Sequence, residues 1–79
     1  VSLNIEFVTA DTGNVLVHAT SDQPGTNYAG VIHIGVPVEW VFAFGWGMRS
    51  RYTPAQQLEI EAAASKKATL LNIVRRLTT

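Results

Sequence analysis

Seventy-nine residues with no cysteine and zero formal net charge exclude a second core, a disulfide staple and a cysteine-built metal knot. An apolar share of 47% excludes a disordered chain. A domain this short hides only about 60–65% of the surface its unfolded chain exposes, so its stability is marginal or helped by a partner.

The charges are unevenly placed. All six basic residues, Arg49, Arg51, Lys66, Lys67, Arg75 and Arg76, follow Met48. Glu6, Asp11, Asp22 and Glu39 precede it and only Glu59 and Glu61 follow, so the two parts carry −4 and +4. Such asymmetry marks a nucleic-acid face or complementary subunit faces, or it is helix chemistry, with bases placed late to suit the macrodipole.

In chain order, "SLNIEFV" alternates, with Leu3, Ile5 and Phe7 on one side and Ser2, Asn4 and Glu6 on the other. That is the period of a half-buried strand. "TADTGN" is a turn in which Gly13 or Asn14 takes positive φ, and "VLVHATS" returns as a second strand, giving a β-hairpin over residues 2–20. No signal peptide is read, because Glu6 interrupts the N-terminal apolar run. The first residue is Val1, which points to a removed initiator or leader. Pro24-Gly25 predicts a turn in the loop that follows.

"VIHIGVPVEWVFAFGWG" (31–47) is the most apolar stretch. It is shorter than a membrane span of roughly 20 apolar residues, and it contains His33, Pro37 and Glu39. Its even positions, Ile32, Ile34, Val36, Val38, Trp40, Phe42, Phe44 and Trp46, are all large and apolar. This alternation predicts strand, broken at Gly35 and Pro37 into roughly 30–36 and 38–45. A helix starting at Pro37 is the competing reading. "TPAQ" then opens a helix over about 54–76, with Thr53 as N-cap, Pro54 at the first position and Gln56 completing a capping box. Its apolar face carries Ile60, Ala63, Ala64, Leu70, Leu71, Ile73, Val74 and Leu77, with Lys67 in its middle.

The expected architecture is a single α+β domain over 1–79, a β region (1–47) followed by a C-terminal helix (53–77). An antiparallel sheet of three to four strands is packed by that helix. At about 34 Å the helix exceeds a typical strand of ~17–20 Å, so its apolar end overhangs the sheet.

No catalytic constellation or cofactor signature is present. Asp11-Thr12-Gly13 resembles the active-site tripeptide of aspartic proteases, a family whose small members are homodimers. Its flanks differ, and the tripeptide reads as a hairpin turn. His18 and His33 make no metal set without further ligands at a recognised spacing. Ser21, Ser50 and Tyr52 have no base arrangement beside them. Trp40, Phe42, Phe44 and Trp46 offer a stacking platform or a core, and core is favoured because no cation interleaves with the rings.

Trp46, Arg49, Arg51 and Tyr52 combine aromatic and guanidinium groups before a helix, a composition enriched at binding hot spots. Lys67, Leu70, Leu71, Val74 and Leu77 form a candidate self-association face. Lys67 there snorkels, pairs with an acid such as Glu39, or meets a partner's acid. The expectation is a non-enzymatic, cytoplasmic interaction module without cofactor, metal or membrane, a homodimer that binds another protein. An accessory or phage- or mobile-element-type inhibitor fits that description. The alternative is a nucleic-acid binder using Arg49, Arg51, Lys66, Arg75 and Arg76.

Overall fold

A computed structural model describes residues 3–20, 28–35 and 39–78. Strands β1 (Asn4–Thr9), β2 (Val15–Thr20), β3 (Tyr28–Ile34) and β4 (Trp40–Phe44) form one antiparallel sheet in chain order. The helix α1 (Pro54–Thr78) packs on one face of it. This is the expected α+β arrangement, with four strands.

The hairpin forms where alternation placed it. β1 and β2 pair from Asn4↔Thr20 to Thr9↔Val15. Leu3, Val15, Val17 and Ala19 are buried, with Ile5 and Phe7 packed beside them. Asp11-Thr12-Gly13 is the tip of the turn. Ala10 N–H donates to Asn14 C=O (2.8 Å) and Gly13 N–H to Ala10 C=O (2.9 Å). Gly13 takes φ 93°, a conformation that costs glycine nothing. The Asn14 carboxamide then accepts the Ile34 N–H at 3.2 Å, sewing the turn to β3.

The apolar run supplies β3 and β4, paired from Gly30↔Phe44 to Ile34↔Trp40. A helix across Trp40–Phe44 is therefore ruled out. Bulky aromatic side chains at every second position suit a pleated surface. Of the even positions, Ile32 is buried and Trp40, Phe42 and Phe44 pack half-buried against the core. Ile34 and Trp46 are exposed. Val36, Pro37 and Val38 lie outside the described residues, as does the expected turn at Pro24-Gly25.

Gly30 makes the β3–β4 contact possible. A Cβ there would lie 2.8 Å from Phe42 Cε1 and 2.9 Å from Phe44 Cα, and against the Ala43 carbonyl. The ring of Phe42 fills the space that a side chain at residue 30 would need.

The helix starts as the capping box requires. Thr53 N–H donates to Gln56 Oε1 (3.0 Å), and Gln56 N–H donates to Thr53 Oγ1 (3.2 Å). Gln57 Nε2 donates to the carbonyls of Arg49 and Tyr52, fastening the preceding 3-10 turn (Arg49–Arg51) to α1. Ile60, Ala64 and Ala68 are the buried contacts, and the two alanines let the helix axis come close to the sheet.

Two side chains fix the direction of α1. Glu59 Oε2 accepts the Leu3 N–H at 3.1 Å beside β1. Asn72 Oδ1 accepts the Trp40 N–H at 2.8 Å on β4. The sheet order puts these bonds at opposite edges. The 25-residue helix runs about 37 Å at ~1.5 Å per residue, whereas the strands have five to seven residues. The turns beyond Asn72 therefore overhang the described strands.

Gly30→Ala is expected to lower stability far more than Thr53→Ala, whose lost cap costs about 1 kcal/mol. Urea denaturation followed by circular dichroism measures both. Equal, small losses would mean that β3 and β4 are not held as close as described.

Candidate interaction surfaces

The corner between β4 and α1 gathers the four residues expected to bind a partner, but it does not present all of them. Trp46 is fully exposed, at 101%, and Arg49 and Arg51 are exposed. Tyr52 is 4% exposed, and its hydroxyl donates to the Ala19 carbonyl at 3.0 Å. It belongs to the core, where it ties the loop to the end of β2, and the surface at this corner is made without it. Burial pushes its phenol above the ordinary value of 10.0, and the nearby Arg51 charge works against that rise.

Arg49 is held from several sides. Its guanidinium lies 5.7 Å from the Phe44 ring centroid, its Nε donates to Gln57 Oε1 at 3.1 Å, and its Nη2 stands 3.8 Å from Glu61 Oε1. Stacking on a ring while reaching a carboxylate suits a planar cation.

The expected self-association residues divide by depth. Leu71 is half-buried against the core. Lys67 Nζ sits 5.6 Å from the Phe7 ring centroid, so this lysine lies over an aromatic ring of its own sheet. Leu70, Val74 and Leu77 are exposed at 51%, 56% and 81%, and Ile73 beside them at 47%. Successive spacings of three and four put Lys67, Leu70, Val74 and Leu77 on one flank of the helix. The contact of Lys67 with Phe7 identifies that flank as the β1 side.

The cations of the nucleic-acid alternative do not share a face. At about 100° per residue, Lys66, Arg75 and Arg76 project in three different directions around α1. Arg49 and Arg51 lie at its other end. Nor do the two histidines meet. His18 pairs with Tyr28 across β2 and β3, its ring 6.3 Å from the Tyr28 ring, and His33 lies five positions further along β3. Among the described residues no three His, Asp or Glu side chains are grouped to hold a metal. No helix among them is long and apolar enough to cross a membrane.

Sequence reasoning missed an open groove of about 740 Å³ between the β4 edge and α1. Trp40, Phe42 and Phe44 form its floor, and Glu61, Ser65, Thr69 and Asn72 form its helical wall. His18, His33, Asp11 and Glu39 do not line it. β4 is an edge strand. Gly45 N–H donates to Ala29 C=O at 3.0 Å, which fixes the phase of the ladder. The amides of Val41 and Ala43 therefore face β3, and those of Trp40, Phe42 and Phe44 face outward. Asn72 takes the Trp40 amide. Those of Phe42 and Phe44 have no acceptor on that side among the described residues.

Compared with known proteins, the chain matches no family model, no curated protein and no solved structure.

Tyr52→Phe is expected to lose about 1–3 kcal/mol, because the Ala19 carbonyl is left buried without its donor. The raised phenol pKa adds a pH signature. The folded state holds its proton above the pH at which an unfolded tyrosine, near 10, releases it. The parent is thus most stable below pH ~10 and weakens as pH climbs through the folded value, whereas the variant lacks that alkaline decline. Thermal melts between pH 8 and 11.5 measure the difference, and parallel curves would contradict it.

Proposed function

We propose that this chain is a small non-enzymatic interaction module that works as a homodimer and binds another protein. The observation that carries the reading is the overhanging end of α1. Leu70, Ile73, Val74 and Leu77 are about half exposed or more, and the last three lie on turns beyond Asn72 that no described strand underlies. A contiguous apolar stripe of this kind on a marginal domain marks a macromolecular contact. Exposed Trp46 with Arg49 and Arg51 adds a second, aromatic and cationic corner. An accessory protein that acts by occupying a partner's surface fits both features.

Nucleic-acid binding is the weaker reading. Phosphate neutralisation needs cations tracking one groove or face. Here Lys66, Arg75 and Arg76 project apart on the helix, and Arg49 stands beside Glu61.

Fluorescence anisotropy with short labelled single- and double-stranded nucleic acids, at low and physiological salt, tests this choice. No binding at either salt is expected. Micromolar, steeply salt-dependent binding that vanishes in Arg75→Ala/Arg76→Ala would put nucleic acid first. In parallel, a photo-crosslinking residue at position 77 should trap one protein, and trapping should fall at least tenfold in Leu70→Ser/Val74→Ser.

A further inference from the structure

The dimeric part of the proposed function leaves open which flank meets the second copy. The expected self-association stripe lies on the β1 side of α1, but the unpaired backbone and the groove lie on the β4 side. We infer that a second copy of this chain docks on the β4 flank, with the two β4 edges antiparallel about a two-fold axis near Phe42 and the two α1 helices side by side above them.

The backbone chemistry is self-complementary. The outward amides of Phe42 and Phe44 and the carbonyls between them need an extended strand with the same spacing, and another β4 supplies one. The Asn72 carboxamide occupies only the Trp40 amide at the end of the edge. The side chains suit the same operation. Half-buried Trp40, Phe42 and Phe44 on each copy's edge meet their counterparts across the axis, filling both grooves with rings.

The helices must also fit. α1 packs chiefly on β4, and Asn72 reaches that strand's outward amide, so the helix lies close to the edge. The middle of its groove wall, between Glu61 and Asn72, is built from small side chains, Ser65 and Thr69. The Thr69 hydroxyl already bonds the Ser65 carbonyl at 2.9 Å and makes no demand on a partner. Two such walls can approach to ordinary helix-packing distance, about 8–10 Å.

Charge complementarity fixes the pairing. Asn72 stands level with Trp40, and Glu61 stands near the Phe44 end through Arg49. A two-fold that puts Trp40 beside the partner's Phe44 puts the partner's Glu61 beside Asn72. Arg76, one turn beyond Asn72 on the same face, then reaches it. The operation makes this pair twice. The chain is 41 Å long and at most 21 Å across. One flank thus has the scale of the roughly 800 Å² that each partner loses in a standard interface.

Sedimentation equilibrium and residue-resolved amide exchange test the seam on the intact chain. Protection at Phe42 and Phe44 is expected to rise between dilute and concentrated protein, while Trp40, already bonded to Asn72, changes little. Ala43→Lys, at an exposed edge position, should weaken dimerisation at least tenfold with the circular dichroism spectrum unchanged. Glu61→Arg should weaken it similarly, and Glu61→Arg/Arg76→Glu should restore it to within threefold. A dimer that ignores Ala43→Lys, or that gains protection at Ile5 and Phe7 instead, overturns the β4 seam and leaves the homodimeric reading standing. A chain monomeric at every concentration overturns both.

Discussion

The arrangement of this domain depends on two hydrogen bonds from one helix to opposite edges of its sheet. A four-stranded sheet has two edges whose outward amides need partners, and a helix that covers one face normally leaves both alone. Here Glu59 takes an amide beside β1, and Asn72, thirteen residues later, takes one on β4. With Ile60, Ala64 and Ala68 buried between them, the helix is fixed in position, rotation and direction. Each bond alone contributes about 1 kcal/mol, or more where the carboxylate accepts. Together they decide which side chains of α1 face which flank.

That orientation sorts the helix into unlike sides. The flank over β1 carries Lys67 on Phe7 and then the apolar stripe. The flank over β4 carries Glu61, Ser65, Thr69 and Asn72 beside an unpaired strand edge. One is apolar and lies largely beyond the sheet. The other is polar, with backbone donors and aromatic rings at its foot. Two surfaces of such different chemistry suit two different occupants, as the proposed dimer holding another protein would require.

Much of the fold was legible in the chain because alternation is a strong local signal. Leu3, Ile5 and Phe7, then Val15, Val17 and Ala19, announce their strands and their buried face, and "TPAQ" announces its helix down to the reciprocal bonds of Thr53 and Gln56. Edge geometry was not legible, since the side on which an amide points follows from register, which single residues do not encode. Nothing in the sequence sets Asn72 apart from the other polar residues of the helix, and its role emerges only when Trp40 lies beneath it. Tyr52 was misread for a related reason. A lone aromatic in a loop beside arginines has the composition of a binding hot spot, and no periodicity marks it as buried. Lys67 kept three readings open until Phe7 was seen under its ammonium group.

Beyond Asn72 no described strand lies beneath the helix, so its last turns rest mainly on bonds within the helix itself. Helix ends with few buried contacts open at low free energy, well below that of global unfolding. Asn72 is therefore a boundary within a single continuous helix. Residues before it are expected to open with the core, and residues after it more readily. The stripe of Leu70, Ile73, Val74 and Leu77 straddles that boundary. A molecule that covers the stripe must also suppress the opening of the final turns, so part of its binding free energy goes into ordering the helix end, and its affinity responds to the helix propensity of residues it never touches.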